Sequence, residues 1–442
     1  MKILIITHYF PPLSCIASFR PYSWYKYWSG MGHDVTVLTT KKNKNGNNLN
    51  LDYSGLGAIE EIPNKSYQFL SKINTKNLNS GINGKNKCQN FKKNKNFILN
   101  FMNNRGIVSW DARFPNIHDC WYKDAYKAVS SRKWDLAVST FAPYVAHLIA
   151  YRLKTGGNTK FWIADYRDLW TQSHMFKGLF PFSMLEEYWE RKINNAADIV
   201  TTVSEPLAIQ IREKYKLNNV RVIENGFDSD DLKNIPEEPY WSDGKIRLVY
   251  TGTIYEAKRD PSPLFEAVMR IAESGFANLL DNFEIIFAGV AGNLYQLVNK
   301  YNVQKWVKYY GLVKREDALR MQRDANGLIF LEFDGASGIL TGKLFEYLFS
   351  GTIILGIGIS GQEGSPGKII EDAEAGLALG KDADKIMETL ISIIDGKINR
   401  KVAPKIEILQ NYTREYQAKR MLKLMDIAIS GEAALKKSES VK

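Results

Sequence analysis

The densest group of chemistry-bearing residues is the run Gly335-Ala-Ser-Gly338-Ile-Leu-Thr-Gly342-Lys343-Leu344-Phe-Glu346-Tyr-Leu-Phe-Ser-Gly351. It follows an apolar strand-like stretch and opens a helix-like one. Glycines there let the backbone approach a ligand, and the free N–H groups of a helix start attract phosphate. Glu346 falls one turn into the helix, where a carboxylate can accept both hydroxyls of a ribose. On residue type alone it reads first as a solvated helix glutamate. Gly342-Lys343 is not the phosphate loop of nucleotide hydrolases. Ser337 stands where that loop needs glycine, and Leu344 where it needs Ser or Thr.

Other candidates are scattered. Asp165-Tyr-Arg167-Asp168 ends a predicted strand, so its charged side chains can position a substrate or simply pair with one another. Arg259, in Lys258-Arg259-Asp260, and Lys343 are cations able to hold a diphosphate, or surface charges. His8 follows the first predicted strand and is the best-placed histidine for chemistry. His147 lies inside a predicted helix, the usual setting of a packed histidine, and His118 has no assigned role.

These residues need a scaffold, and the hydrophobic pattern supplies one. Lys2–Thr7 reads as a strand, Arg20–Met31 as a helix and Asp34–Thr40 as a strand, which is the opening of a parallel α/β sheet. Residues 41–107 read as a mobile insertion, with short elements near 67–73 and 97–102. Alternating strands and helices resume after Trp110 and end with a strand at Val220–Ile223 and the pair Asn225-Gly226. The pattern restarts at Ile246–Tyr250 and continues to a strand at Thr352–Gly356. A long helix spans Glu407–Ala428. The predicted organisation is an amino-terminal Rossmann-like domain over 1–232, a linker over 233–245 and a second Rossmann-like domain over 246–404. A helix over 405–430 packs back across the domains, and 431–442 forms a flexible tail. Two doubly wound α/β domains of this kind face a central cleft.

Composition narrows the class. Apolar residues make up 45% and charged residues 24% of 442, as in ordinary globular proteins. No apolar run reaches the roughly 18 residues of a membrane span, and the start lacks the long apolar region of a signal peptide. Cys15, Cys88 and Cys120 show no metal-ligand spacing, which fits a reducing cytoplasm. The net charge of +11 is concentrated: between Pro63 and Trp110 there is no Asp or Glu, but nine Lys and Arg residues. With Phe91, Phe97, Ile98, Leu99, Phe101 and Met102, this segment suits docking to an anionic membrane surface, or is a solvated Asn/Lys-rich insertion. No folded nucleic-acid-binding motif accompanies it.

Gly342-Lys-Leu-Phe-Glu346-Tyr-Leu-Phe-Ser-Gly351 resembles the nucleotide-sugar motif of glycosyltransferase family 4, in its bacterial polysaccharide, capsule and O-antigen subgroup. Further segments resemble that family in the same order. They are His8-Tyr-Phe-Pro-Pro12 with Arg20 and Gly32–Thr39, then Asp165-Tyr-Arg167-Asp168-Leu-Trp170, Asn225-Gly-Phe-Asp228, and Tyr250-Thr-Gly252-Thr253 with Arg259. The likeness covers about residues 1–40 and 110–425. It implies a GT-B fold and transfer of a sugar from a nucleotide-sugar, with retention of configuration, to a lipid-linked or other glycan acceptor in surface polysaccharide synthesis. With the cysteine usage and the basic segment, the expected location is cytoplasmic, with peripheral docking at the inner face of the plasma membrane. By the resemblance Glu346 binds the ribose, and Gly252, Thr253, Arg259, Gly342, Lys343 and Leu344 line the donor site. Asp165, Arg167 and Asn225 are cleft residues; Asp168 and His8 are catalytic candidates. No cofactor is implied: no Asp-x-Asp cluster appears, and GT-B enzymes generally need no bound metal.

The sequence departs from that pattern at several points. Gly338 stands eight residues before Glu346, where the family often has a second glutamate. Ser14-Cys15-Ile16-Ala17 replaces paired glycines, Thr253 an arginine, and Phe141 a histidine. A second reading follows: a GT-B scaffold without catalysis, acting as a partner subunit or glycan-binding module. A nucleotide-sugar epimerase on the same plan is opposed by the family motifs.

Overall fold

The computed structural model describes residues 1–13, 15–42, 55–65, 113–173, 178–233, 235–254, 258–332, 340–359, 361 and 365–439, with the side chains of 232 and 427–439 excepted. Most of the basic segment 63–110, together with Ser14, Gly335 and Gly338, lies outside the described residues. The chain forms two compact units, Met1–Ile223 with Ala418–Lys442, and Glu224–Gln417.

The first unit is built on a seven-stranded sheet. Its strands are β1 (Lys2–Ile6), β2 (Asp34–Thr40), β3 (Ala58–Ile62), β4 (Trp134–Phe141), β5 (Thr159–Tyr166), β6 (Ile199–Thr202) and β7 (Val220–Val222). The order is β3-β2-β1-β4-β5-β6-β7, and every pairing is parallel. The helices are α1 (Ile16–Gly30), α2 (Tyr122–Val129), α3 (Val145–Thr155), α4 (Phe182–Ala196) and α5 (Glu205–Tyr215). A parallel sheet covered on both faces needs strands apolar on both sides, and β1 shows the consequence. Leu4 and Ile6 enter one core with Trp162 and Ile149, while Ile3 and Ile5 enter the other with Trp24 and Trp28. That second core is completed from the far end of the chain by Ala418, Met421, Leu422 and Met425. Trp28 Nε1 donates to the Ala418 carbonyl at 2.9 Å.

The second unit repeats the plan. It begins with the single turn α6 (Asp230–Lys233). Its strands are β8 (Ile246–Thr251), β9 (Phe283–Ala288), β10 (Val307–Gly311), β11 (Gly327–Leu331), β12 (Ile354–Ile357) and β13 (Gly376–Gly380). Their order is β10-β9-β8-β11-β12-β13, again parallel throughout. Around them pack α7 (Ser262–Glu273), α8 (Leu294–Lys300), α9 (Arg315–Asp324), α10 (Gly342–Phe349), α11 (Pro366–Asp372), α12 (Ala383–Ile394) and α13 (Ile406–Asn411). The long final helix α14 (Arg414–Glu439) starts here and supplies its later residues to the first unit. Among the described residues no helix is long and apolar enough to cross a membrane.

Two expectations are corrected. Residues 58–62 fall within the segment read as irregular, yet they form β3, paired with β2 from Thr36↔Ala58 to Thr40↔Ile62. The helix expected over 407–428 is two helices, because Phe227 docks at the break: its N–H donates to the Tyr412 carbonyl at 2.9 Å and its carbonyl accepts from Arg414 N–H at 3.0 Å. Beyond Ala428 the helix continues as far as Glu439.

One polar cluster ties the first sheet to α1. Asp165, fully buried on β5, accepts from Arg20 Nε at 3.0 Å and Nη2 at 2.7 Å, from Thr140 Oγ1 at 2.9 Å and from Thr201 Oγ1 at 2.8 Å. Arg20 Nη2 also donates to the Ile223 carbonyl at 2.9 Å. The pair is buried, and deleting one partner strands the other's charge away from water. Asp165→Ala is expected to destabilise the protein by about 3–5 kcal/mol, read by urea unfolding of the full chain. A loss below about 1 kcal/mol, the scale of an exposed pair, would show the cluster to be dispensable.

Candidate functional site

In an open parallel sheet, ligands bind beyond the carboxyl ends of the strands where the order reverses. In the second unit that point lies between β8 and β11. The residues just after β8 are Gly252 and Thr253, both on the predicted site.

Tyr250, at the end of β8, organises this corner. Its hydroxyl donates to the Thr253 carbonyl at 2.9 Å and accepts from Arg259 Nη1 at 3.1 Å. Arg259 Nη1 also reaches the Thr253 carbonyl at 3.3 Å. Over the Tyr250 ring, 3.6 Å from its centroid, lies the ammonium of Lys343. Lys343 is 9% exposed, and its Nζ has no hydrogen-bond acceptor among the described residues. Burial, then the charge of Arg259, pushes its pKa well below the ordinary lysine value, against a smaller opposing pull from Glu346. A cation–π contact offsets part of the lost hydration, not all of it. The corner therefore holds an under-satisfied cation beside a guanidinium.

Gly252 makes the approach possible. Its φ of +143° is open to glycine and strained for other residues, and a Cβ there would collide with Lys343 Nζ. Lys343 is the second residue of α10, and the side chain of its flanking Thr341 makes no capping bond. An anion at this helix start would meet Lys343, Arg259 and the first amides of α10 together.

Glu346 lies one turn further on. It is 14% exposed on its side chain and accepts from Arg315 Nη1 at 2.6 Å. Burial alone would raise its pKa, but the charge and hydrogen bond of Arg315, then Arg414 and Gln322, outweigh burial and hold it below the usual carboxylate value. It is thus an ionised acceptor, not a solvated helix glutamate. Gly342 opens α10. Leu344 is fully buried and its N–H bonds to the Thr341 carbonyl at 3.1 Å, so that amide is already used within the protein. Asn225 donates to the Leu340 carbonyl at 3.4 Å, beside the same helix start.

The first-unit candidates separate. Asp165, expected to face a cleft, is saturated by Arg20, Thr140 and Thr201 and has no exposed surface. Arg167 consequently pairs with Asp168, at 3.1 Å, and lies over the Tyr9 ring. Asp168 is the exposed one of the two carboxylates, at 57%. Leu169 and Trp170 of the same motif are buried, and Trp170 stacks on Tyr144 at 5.0 Å. His8 is buried at the end of β1. Its Nδ1 lies 2.7 Å from Thr40 Oγ1 and its ring 4.1 Å from His118. Burial, then Lys42 and His118, lowers its pKa well below 6.5, so it is a neutral imidazole at pH 7. His147 is fully buried, bonded to Ser139 at 2.7 Å, and burial lowers its pKa to about 3. It is a core residue, as its helix position predicts.

Sequence reasoning passed over Tyr250 as a platform, and Arg315, Gln322, Tyr347 and Asp231 altogether. Gln322 Nε2 bonds to Thr251 Oγ1 at 2.8 Å, and Tyr347 hydroxyl accepts from Thr251 N–H at 3.0 Å. The one usable signal was the seven-residue spacing of Arg315 and Gln322, which puts both on one face of α9.

No family model and no curated protein matches this chain. Solved structures do. Sucrose-phosphate synthase from Thermosynechococcus elongatus superposes with a TM-score of 0.54 at 14% identity, covering 100% of both chains. A variant of S. aureus TarM, in complex with fondaparinux, alpha-GlcNAc-glycerol and UDP, gives 0.54 at 11% identity, covering 96% of this chain and 99% of its own. A trehalose-6-phosphate protein of E. coli bound with UDP-2-fluoro glucose gives 0.55 at 11% identity, covering 96% and 99%. The fold is GT-B. At these identities the likeness carries the two Rossmann-like domains and nothing finer.

Lys343 generates a pH prediction. Its folded pKa is depressed, so over the window between that value and its ordinary 10.5 the unfolded chain binds more protons. The ligand-free protein should therefore gain stability as pH rises through that window. Lys343→Met should remove that slope and raise the ligand-free melting temperature at pH 7, by about 2–4 °C for each kcal/mol recovered. Thermal melts between pH 6.5 and 9.5 read both effects. An unchanged slope in the variant would contradict the assignment.

Proposed function

We propose that this protein is a retaining glycosyltransferase. It moves a sugar from a nucleotide-sugar to a lipid-linked or other glycan acceptor in surface polysaccharide synthesis. The observation that carries the reading is the buried Lys343 ammonium, beside Arg259 and under-satisfied, at the amino end of α10. Bond cleavage leaves a nucleoside diphosphate, and fixed cations with helix-start amides stabilise its growing charge without reorganising. Arg259 and Lys343 take the diphosphate, Gly252 and Thr253 give it backbone room, and Glu346 takes the ribose. The motif resemblance supports this assignment, as do the UDP and UDP-2-fluoro glucose of the structural neighbours.

Acceptor activation falls to the first unit. Asp168 offers an exposed carboxylate, held by Arg167, that can orient an acceptor hydroxyl. His8, neutral and bonded to Thr40, is a weaker candidate that would act as a hydrogen-bonding group. With retention, the leaving phosphate can itself accept the acceptor's proton, so no dedicated base is required. No bound metal is needed for the scheme. The location that fits is the cytoplasmic face of the plasma membrane, reached through 63–110.

The test is calorimetric titration of wild type and Glu346→Ala with UDP-, GDP- and dTDP-sugars. One donor should bind, and the variant should weaken it by about 10- to 100-fold, the loss of a charged hydrogen bond. Asp168→Asn should leave donor affinity intact and lower turnover once an acceptor is found, by about 10-fold or more. A folded wild type that binds no donor would support the non-catalytic scaffold instead.

A further inference from the structure

Glu346 is one member of a chain of polar contacts. Arg315 Nη1 donates to Glu346 Oε1 at 2.6 Å, and Arg315 Nη2 donates to Asp231 Oδ2 at 2.7 Å. One guanidinium is thus divided between two carboxylates, from α10 and α6. The second oxygen of Glu346, Oε2, has a single long contact among the described residues, from Gln322 Nε2 at 3.4 Å. Gln322 Nε2 is itself held by Thr251 Oγ1 at 2.8 Å, which keeps it back.

That division has a chemical reason. An unrestrained guanidinium beside a carboxylate prefers the two-pronged fork, which occupies both oxygens. Asp231 takes one prong, so Glu346 surrenders one oxygen and keeps the other. A carboxylate oxygen has two acceptor sites, and Oε1 retains one beyond its bond to Arg315. The remaining acceptors suit a pair of adjacent hydroxyls.

We propose that Arg315, anchored by Asp231, is a positioning residue that sets specificity. It fixes Glu346 with an open oxygen, so that the site selects a ribonucleotide diol over a deoxyribonucleotide. The proposal rests on Glu346 as the ribose acceptor. Neither Arg315 nor Asp231 contacts the nucleotide in this scheme; both act through Glu346.

The experiment is calorimetric titration of the full-length protein with UDP, GDP and their 2′,3′-dideoxy counterparts. Wild type should prefer one ribonucleotide over its dideoxy form by about tenfold or more, the range of a charged hydrogen bond. Arg315→Gln and Asp231→Asn should each cut that ratio to about threefold or less, with dideoxy affinity little changed. A purely structural role would weaken both forms alike and leave the ratio standing. Should Arg315→Gln fail to fold, Arg315→Lys keeps the charge but reaches only one carboxylate, and the same loss of ratio is expected. A wild-type ratio preserved in the folded variants overturns the role of Arg315 and leaves Glu346 as assigned. A wild-type ratio near one, or no nucleotide binding, overturns the assignment of Glu346 and the proposal with it.

Discussion

Lys343 brings its ammonium group against the ring of Tyr250 with no oxygen acceptor among the described residues. A desolvated charge is costly, and its surroundings are shaped by accommodating it. Gly252 has to lack a side chain, because any Cβ would occupy the ammonium's space. Tyr250 has to present its face, and its hydroxyl is locked to Thr253 and Arg259. The start of α10 lies where Lys343 reaches this corner from its second residue. Such a corner is poor for stability and well prepared for an anion, the usual exchange at functional sites.

Two Arg–carboxylate pairs in the chain make an instructive contrast. Asp165 receives both prongs of Arg20 and two threonine hydroxyls, which exhausts its oxygens. Glu346 receives one prong of Arg315, the other being drawn to Asp231. Residue types are similar, but the first pair is buried and the second partly exposed, and the saturation differs. The first pair fastens a helix to a sheet. The second leaves acceptor capacity on an ionised group.

The sequence made the two parallel α/β units legible because most central strands are apolar on both faces and glycine or proline marks many of the turns. Glu346, Lys343, Gly252 and Arg259 stood out through the resemblance of their motifs to glycosyltransferase family 4, not through residue type alone. The sequence could not separate Asp165 from Asp168. Both sit in one motif at the end of the same strand, and it is the first that pairs, buried, with Arg20, 145 residues earlier. β3 escaped notice because Ala-Ile-Glu-Glu-Ile is short, half polar and an edge strand, stabilised by β2 and not by its own pattern. The break between α13 and α14 was invisible for a similar reason. Neither Tyr412 nor Thr413 breaks helices, and the interruption comes from Phe227. Arg315 resembles Arg320 and Arg323 in a charged helix, and only the fold shows which one meets Glu346.

The arrival of Ala418, Met421 and Leu422 in the core built on Ile3 and Ile5 constrains the order of assembly during synthesis. The second unit is a continuous stretch, Glu224–Gln417, and can close its own core as soon as it clears the ribosome. The first unit, begun earlier, must wait. Trp28 lacks its carbonyl partner until a residue 390 positions later is made. The core face that those residues cover waits about 20–80 seconds for them at 5–20 residues per second. The first unit, although it is begun before the second, is therefore completed after it.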